Sequence, residues 1–245
     1  MNLAREYDLW HQKVFEAEPR DRDASSPWYK IVLDQMAPVA GQRVLEVACG
    51  RGGFAALMAS KGAAMFGADF SGAALDIARG RSTERGKESL PAAFAQADAQ
   101  QLPYPDETFD VVVSCETIEH LPDPFEGIKE MARVCRSGGL LYLTTPNYFN
   151  LMGLYYIYAK LTHRKATPGE DQPYDRVFLF PQVRRMLSRA GWKILRSDGT
   201  VHQFPVMRGR DPIAVPSLER NRIVRRVLSP LAFHYFILAK KGKLR

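Results

Sequence analysis

The sequence contains few cysteines, no long apolar run and no sign of a secretory leader. Its three cysteines, Cys49, Cys115 and Cys135, are odd in number and form no CxxC pair, which disfavours a disulfide framework or a zinc site and favours reduced thiols. No uninterrupted apolar run reaches the roughly 20 residues of a membrane-spanning helix, and the N-terminus MNLAREYDLWHQ is polar from its start. We therefore expect a cytoplasmic protein.

Acidic residues are missing from the last part of the chain. The whole sequence has a net charge of +7, yet residues 220–245 hold eight basic residues and no acidic one: Arg220, Arg222, Arg225, Arg226, Lys240, Lys241, Lys243 and Arg245. The remainder has 26 basic and 27 acidic residues and is close to neutral. The basic end either contacts an anionic surface or only keeps the protein soluble, and both interpretations stay open.

The sequence does contain a regular alternation of strand-like and helix-like segments. The predicted strands of the first part are Arg43–Ala48, Ala64–Ala68, Ala92–Ala95, Asp110–Cys115 and Leu140–Thr144. Helices are predicted between them, at Phe54–Lys61, Gly72–Arg79 and Phe125–Val134, and ahead of them, at Leu3–Glu16 and Trp28–Ala37. Such alternation builds a doubly wound parallel sheet. A helix at Phe180–Ala190 and two strands, Trp192–Arg196 and Phe233–Ala239, follow, and these strands are expected to form an antiparallel pair.

A glycine-rich loop follows the first predicted strand, in the stretch RVLEVACGRGG. Gly50, Gly52 and Gly53 would let a ligand approach the backbone at the start of the next helix, where free amides face it. A dinucleotide would require GxGxxG, and its pyrophosphate would be repelled by the carboxylate of Glu46. The loop therefore predicts a ligand that carries an ammonium group.

Several motifs occur in order between Arg43 and Asn147: VLEVACGRGG, GADFSGAALDIAR, QADAQQLPYPDETFDVVVSC, CETIEHLPDP and SGGLLYLTTPN. Together they resemble a class I methyltransferase dependent on S-adenosyl-L-methionine (SAM), in the ubiquinone-biosynthesis-like branch that acts on small molecules. The resemblance implies an α/β, Rossmann-like, mostly parallel seven-stranded sheet with an antiparallel last strand. A single domain is expected, with a helical cap (1–40), a SAM-binding core (41–147), an insert after the fifth strand (148–178) and a C-terminal part with a second flap (179–245).

The resemblance also implies how SAM would be held. Glu46 would meet the ammonium group, Asp69 the two ribose hydroxyls and Asp98 the adenine amino group, while Phe70 would pack on the adenine. Ala48 stands where a glycine is commoner, which is expected to tighten the pocket. The predicted cofactor contacts are Glu46, Ala48, Gly50, Gly52, Asp69, Phe70, Asp98, Ala99, Cys115 and Glu116.

His120 is the candidate catalytic residue. It follows the fourth strand, beside the expected methyl group, where it could accept the proton of a hydroxyl substrate or simply cap and pack the loop. No cluster of Asp, Glu and His residues stands out in the sequence, so a metal-dependent mechanism is not expected.

The insert after the fifth strand is rich in tyrosine and apolar residues. It is interpreted as a lid, as a helix buried in the core or in a homodimer interface, or as a helix in a membrane interface. In the last case Leu151–Leu161 and the basic C-terminal segment would meet the membrane together. The candidate substrate contacts are Tyr148, Tyr155, His163 and His202.

The predicted function is O-methylation of a small, apolar or aromatic hydroxyl compound. N- or C-methylation of a lipid, sugar or amine is the alternative. A nucleic-acid methyltransferase is disfavoured, because the body of the chain is neutral and NPPY-like tetrapeptides are missing. A catalytically silent SAM-binding partner subunit is disfavoured by the complete set of cofactor residues.

Overall fold

The computed structural model describes residues 3–17, 26–84, 92–147, 176, 178–200, 203–204, 213–214 and 221–242. The helices are α1 (Leu3–Ala17), α2 (Pro27–Gln35), α3 (Gly53–Ala59), α4 (Gly72–Glu84), α5 (Pro124–Val134), α6 (Phe180–Arg189) and α7 (Arg222–Val227). The strands are β1 (Arg43–Val47), β2 (Ala64–Asp69), β3 (Ala92–Gln96), β4 (Phe109–Cys115), β5 (Cys135–Pro146), β6 (Trp192–Thr200), β7 (Gln203–Phe204), β8 (Ile213–Ala214) and β9 (His234–Lys241).

Seven strands form one sheet in the order β3-β2-β1-β4-β5-β9-β6. The pairs on the β3 side of β5 are parallel, and β9 runs antiparallel to both β5 and β6. The predicted sheet and its antiparallel strand are thus confirmed. Because β1 pairs with β2 on one side and β4 on the other, the strand order reverses there, and ligands bind at such a switch point.

The core lies on both faces of the sheet because its central strands are apolar on both sides. In β1, Leu45 and Val47 belong to one buried cluster, which includes Ile128 of α5 and Leu187 of α6. Val44, which points to the opposite face, belongs to a second cluster with residues of α2 and α3. The helices therefore cover the sheet in two layers and leave its carboxyl edge for the site.

The fifth strand begins earlier than the predicted Leu140. Cys135 already pairs with Phe109, and the register shifts before Val111 pairs with Leu140. Gly139 allows this irregularity, since a side chain there would meet the Cys135 Sγ atom at 2.6 Å. The Ser137-Gly138-Gly139 sequence, which has the composition of a turn, therefore lies inside the strand.

Several predictions fall outside the described residues. These are most of the insert, including Leu151–Leu161, and the four candidate substrate contacts Tyr148, Tyr155, His163 and His202. The predicted lid, membrane contact and homodimer therefore stay predictions. Within the described ranges, the helices are too short or too polar to cross a membrane.

Candidate active site

A cavity of about 220 Å³ opens at the carboxyl ends of β1, β2, β3 and β4. Seven of the predicted site residues line it: Ala48, Asp69, Phe70, Asp98, Ala99, Glu116 and His120. A smaller cavity of about 120 Å³ is lined by Trp10, His11, Trp28, Tyr29, Cys49, Gly50 and Arg51. Trp10 and His11 line both cavities, so the two spaces adjoin.

Asp69, the last residue of β2, ties two loops of the site together. Its carboxylate accepts hydrogen bonds from the backbone amides of Gly50, at 2.7 Å, and Ser71, at 2.8 Å. Burial raises the pKa of Asp69 to about 6, against the opposing effect of these backbone donors. The side chain that the sequence predicts to bind ribose is therefore fixed in place, and it titrates close to neutral pH.

The glycine-rich loop bends through left-handed backbone conformations. Gly50 and Gly52 have φ angles of +50° and +74°, and a side chain on Gly52 would meet Ala78 at 2.8 Å. Ala48 also has a positive φ, +56°, which is unfavourable for a residue with a Cβ atom. The departure from glycine at this position thus strains the backbone, in addition to any crowding of the pocket.

Asp98 is held by a short chain of hydrogen bonds. The side-chain amide of Gln100 lies 3.0 Å from both carboxylate oxygens of Asp98. The Gln100 Oε1 atom in turn accepts from the backbone amide of Asp123, 2.7 Å away, and Asp123 caps the N-terminus of α5. This chain links the end of β3 to α5.

The N-terminal helix contributes site residues that are not among those predicted from the sequence. Leu3, Tyr7, Trp10 and His11 of α1 line the larger cavity, and their i, i+4, i+7, i+8 spacing places them on one helix face. Burial and the charge of Arg51 lower the pKa of His11 to about 4, so this imidazole is neutral at physiological pH. The spacing was visible in the sequence, but nothing there showed which element the face would meet.

Asp8 attaches this helix to the body of the protein. Its Oδ1 atom accepts from the Ser71 hydroxyl, at 2.6 Å, and from the backbone amide of Ala73, at 3.1 Å. Ala73 lies in the first turn of α4, where backbone amides lack partners within the helix. A residue of α1 therefore caps α4, and the same contact holds α1 over the cavity.

Glu46 and Cys115, predicted as cofactor contacts, are both buried in the sheet. The Tyr29 hydroxyl donates to Glu46 at 2.8 Å, and because Tyr29 lines the smaller cavity, Glu46 lies next to that space. Burial and the charge of Glu46 raise the pKa of the Cys115 thiol well above its usual value. Cys115 is therefore a protonated, buried thiol, and its contact with the cofactor stays a prediction.

Two glutamate–histidine pairs follow β4. The Glu116 Oε2 atom lies 2.7 Å from Nδ1 of His234, the first residue of β9. Glu119 instead accepts from the Thr145 hydroxyl at 3.0 Å, and its other oxygen is 3.8 Å from His120 Nε2. His234 could not be predicted as a site residue, because its proximity to Glu116 depends on the antiparallel placement of β9.

Comparisons with known proteins agree with this geometry. A family model described as a methyltransferase domain matches residues 45–143. Over 159 residues the chain is 34% identical to the ubiquinone biosynthesis O-methyltransferase of Thiobacillus denitrificans. The matched region covers 65% of this chain and 68% of that protein. The chain belongs to the class I SAM-dependent methyltransferases. Its methyl donor is therefore SAM.

Two further relatives define how far the likeness extends. This chain is 45% identical over 103 residues to the methyltransferase GfsG of Streptomyces halstedii. The matched region covers 42% of this chain and 37% of GfsG. The structure of a SAM-dependent methyltransferase from Thermotoga maritima superposes on this chain with a TM-score of 0.69 and 17% sequence identity. The match covers 98% of this chain and 100% of the Thermotoga chain. The structural likeness shows the fold alone. The methyltransferase spans about two thirds of its Thiobacillus relative and about a third of GfsG.

Proposed function

We propose that this methyltransferase O-methylates a small, apolar or aromatic hydroxyl compound. The observation that carries the proposal is the lining of the larger cavity, which combines Leu3, Tyr7 and Trp10 of α1 with the polar residues Glu116 and His120. An apolar body would pack on α1, and a hydroxyl would meet the polar side. The name of the Thiobacillus denitrificans relative, a ubiquinone biosynthesis O-methyltransferase, supports the same acceptor class.

The described residues fit SAM in both cavities. Asp69, with its carboxylate fixed by two backbone amides, suits the ribose hydroxyls, and Phe70, Asp98 and Ala99 line the part suited to adenine. The smaller cavity, beside Glu46, suits the amino-acid end, since Glu46 favours an ammonium group. Arg51, which is 7% exposed and lines this cavity, carries the charge that favours a carboxylate.

The protein's own contribution is to hold the acceptor in line and to exclude water. SAM, when bound, supplies an electrophilic methyl group, so alignment at near-attack distance provides much of the rate enhancement. Helix α1 covers the cavity with apolar side chains and is fastened by Asp8. His120 lines the cavity, as its predicted role as a base requires, and that role stays a prediction.

The proposal is tested by incubating the protein with methyl-labelled SAM and a panel of phenols, catechols, aliphatic alcohols and amines. Transfer of label to a hydroxyl oxygen, identified by mass spectrometry of the product, is the expected result. Label on nitrogen or carbon would contradict O-methylation, and label on RNA or DNA would contradict a small-molecule acceptor. The Asp69→Ala variant is the control, because it should lose transfer through lost SAM affinity.

A further inference from the structure

The Glu116–His234 pair lies at the carboxyl edge of the sheet, where β4 ends and β9 begins. Oε2 of Glu116 and Nδ1 of His234 are 2.7 Å apart, and the two side chains are 16% and 7% exposed. At this distance a proton lies between the two atoms. When Glu116 is a carboxylate, His234 Nδ1–H donates to Oε2, and the second oxygen, Oε1, is left for another donor.

That second oxygen has the properties of a ligand-binding atom. Among the described residues, no donor reaches Oε1 of Glu116, although the atom is buried. A buried acceptor without a hydrogen bond costs stability and calls for an explanation. Glu116 lines the larger cavity, so a hydroxyl bound there would supply the missing donor once a small movement of the carboxyl group uncovers Oε1.

The backbone conformation at Glu116 indicates that its carboxylate is placed here for a functional rather than a structural reason. Its φ angle is +50°, a left-handed conformation that is unfavourable for a residue with a side chain and that is often found at active sites. Glycine would fit this conformation better. The strain is explained if a carboxylate is required at this point of the cavity.

His120, the base predicted from the sequence, is held differently. Its Nε2 atom is 3.8 Å from Glu119 Oε1, beyond hydrogen-bond distance. Oε2 of Glu119 accepts the Thr145 hydroxyl, 3.0 Å away. Of the two pairs, only Glu116–His234 therefore combines a short hydrogen bond with a free carboxylate oxygen on a cavity-lining residue.

We propose that Glu116 is the catalytic proton acceptor for the substrate hydroxyl and that His234 is its positioning residue. The inference rests on the proposed O-methylation. As the hydroxyl oxygen bonds to the methyl carbon, the methyl–sulfur electron pair stays on sulfur, and the hydroxyl proton passes to Oε1 of Glu116. A sulfonium and a carboxylate become a neutral thioether and a neutral carboxylic acid. Loss of both charges together is favourable in a site that excludes water.

The test compares two acceptors of different acidity, phenol and a nitrophenol with two nitro groups, which, unlike a mononitrophenol, is already ionised at neutral pH. Only phenol, with a pKa of about 10, needs a base. With Glu116→Gln, phenol turnover at saturating SAM should fall by roughly 10²–10⁴-fold, while nitrophenol turnover should fall far less. Affinity for the product S-adenosylhomocysteine, measured by calorimetry, should stay close to that of the wild type.

His234 is tested by two substitutions. His234→Asn keeps a donor nitrogen near the Nδ1 position and should retain most of the phenol turnover. His234→Phe removes the donor within an aromatic environment that includes Trp28 and Phe233, and should lower phenol turnover by about tenfold to a hundredfold. If both variants lose the same activity, or neither does, His234 does not act by positioning Glu116.

The other outcomes separate this inference from the proposed function. Equal losses on phenol and nitrophenol, or a tenfold loss of S-adenosylhomocysteine affinity in Glu116→Gln, would make Glu116 a cofactor contact, as the sequence predicts, and overturn the inference alone. Unchanged phenol turnover in Glu116→Gln would also overturn the inference alone. A wild-type protein that binds S-adenosylhomocysteine but methylates no hydroxyl compound of the panel overturns the proposed function, and the inference with it.

Discussion

Cofactor affinity should depend on pH through Asp69. With a pKa of about 6, this carboxyl group is mostly ionised at neutral pH, and only about a tenth of it is ionised one pH unit below the pKa. In the predicted complex, the ribose hydroxyls donate to the ionised form. We therefore expect affinity to fall about tenfold, or about 1.4 kcal/mol, for each pH unit below about 6, with one proton released on binding.

The same group should affect stability with the opposite sign. Its pKa is raised from the unfolded value of 3.8 to about 6, so the cofactor-free native state binds more protons than the unfolded state between these values. Asp69 therefore makes the native state more stable as pH falls through this window. Asp110 and Glu130, whose pKa values are lowered by arginine partners, work in the other direction. The effect of Asp69 is therefore obtained by comparing the pH dependence of the free energy of unfolding between the wild type and Asp69→Asn.

The assay is calorimetric titration with S-adenosylhomocysteine at several pH values. Asp69→Asn keeps the shape and should give weaker but nearly pH-independent binding. His11, with its pKa of about 4, stays neutral through the window. Asp76→Asn, which alters an exposed ion pair with Arg79, is the matched control and should keep the wild-type profile. A wild-type affinity that does not change from about pH 7 to about pH 5, or an Asp69→Asn profile as steep as the wild type, would refute the reasoning.

Three further results are expected. Ala48→Gly should stabilise the protein by about 0.5–1 kcal/mol in urea unfolding, because glycine tolerates the +56° φ angle; a destabilised variant would contradict the strain. Asp8→Ala should cost about 0.5–2 kcal/mol and weaken S-adenosylhomocysteine binding, whereas Asp8→Asn should not, if the helix cap matters. If the basic C-terminal end meets lipid, the protein should sediment with anionic vesicles at low salt, and Ile223→Asn combined with Arg226→Ala should release it; no sedimentation of the wild type rejects the contact.

The sheet could be predicted because its information is local. Apolar runs such as that of β4, followed by loops with polar residues, identify strands and their carboxyl ends without knowledge of the rest of the chain. The same locality placed Asp69, Asp98 and Glu116 at one edge, since the ends of parallel strands meet there. The beginning of β5 could not be predicted, because Ser137–Gly139 has the composition of a turn and only its register with β4 shows that it continues a strand.

The parts of the site that could not be predicted depend on contacts between distant segments. Asp8 caps a helix 65 residues further along the chain, and His234 meets Glu116 across 118 residues. A lone histidine before an apolar strand, or an aspartate in an amphipathic helix, has many structural explanations and no distinctive spacing. Such residues become meaningful only when the fold brings them to the cavity.

The charge of the site differs from that of the chain, and this difference suits the reaction. The chain carries +7, yet four carboxylates, Glu46, Asp69, Asp98 and Glu116, come from the carboxyl ends of β1, β2, β3 and β4 or the residues just after them. Bound SAM brings a sulfonium cation, which these groups would attract if they hold the cofactor as the sequence predicts. Methyl transfer removes that cation, so the carboxylates hold the product less strongly than the donor. If the predicted contacts are right, the acidic edge favours both capture of SAM and release of its product.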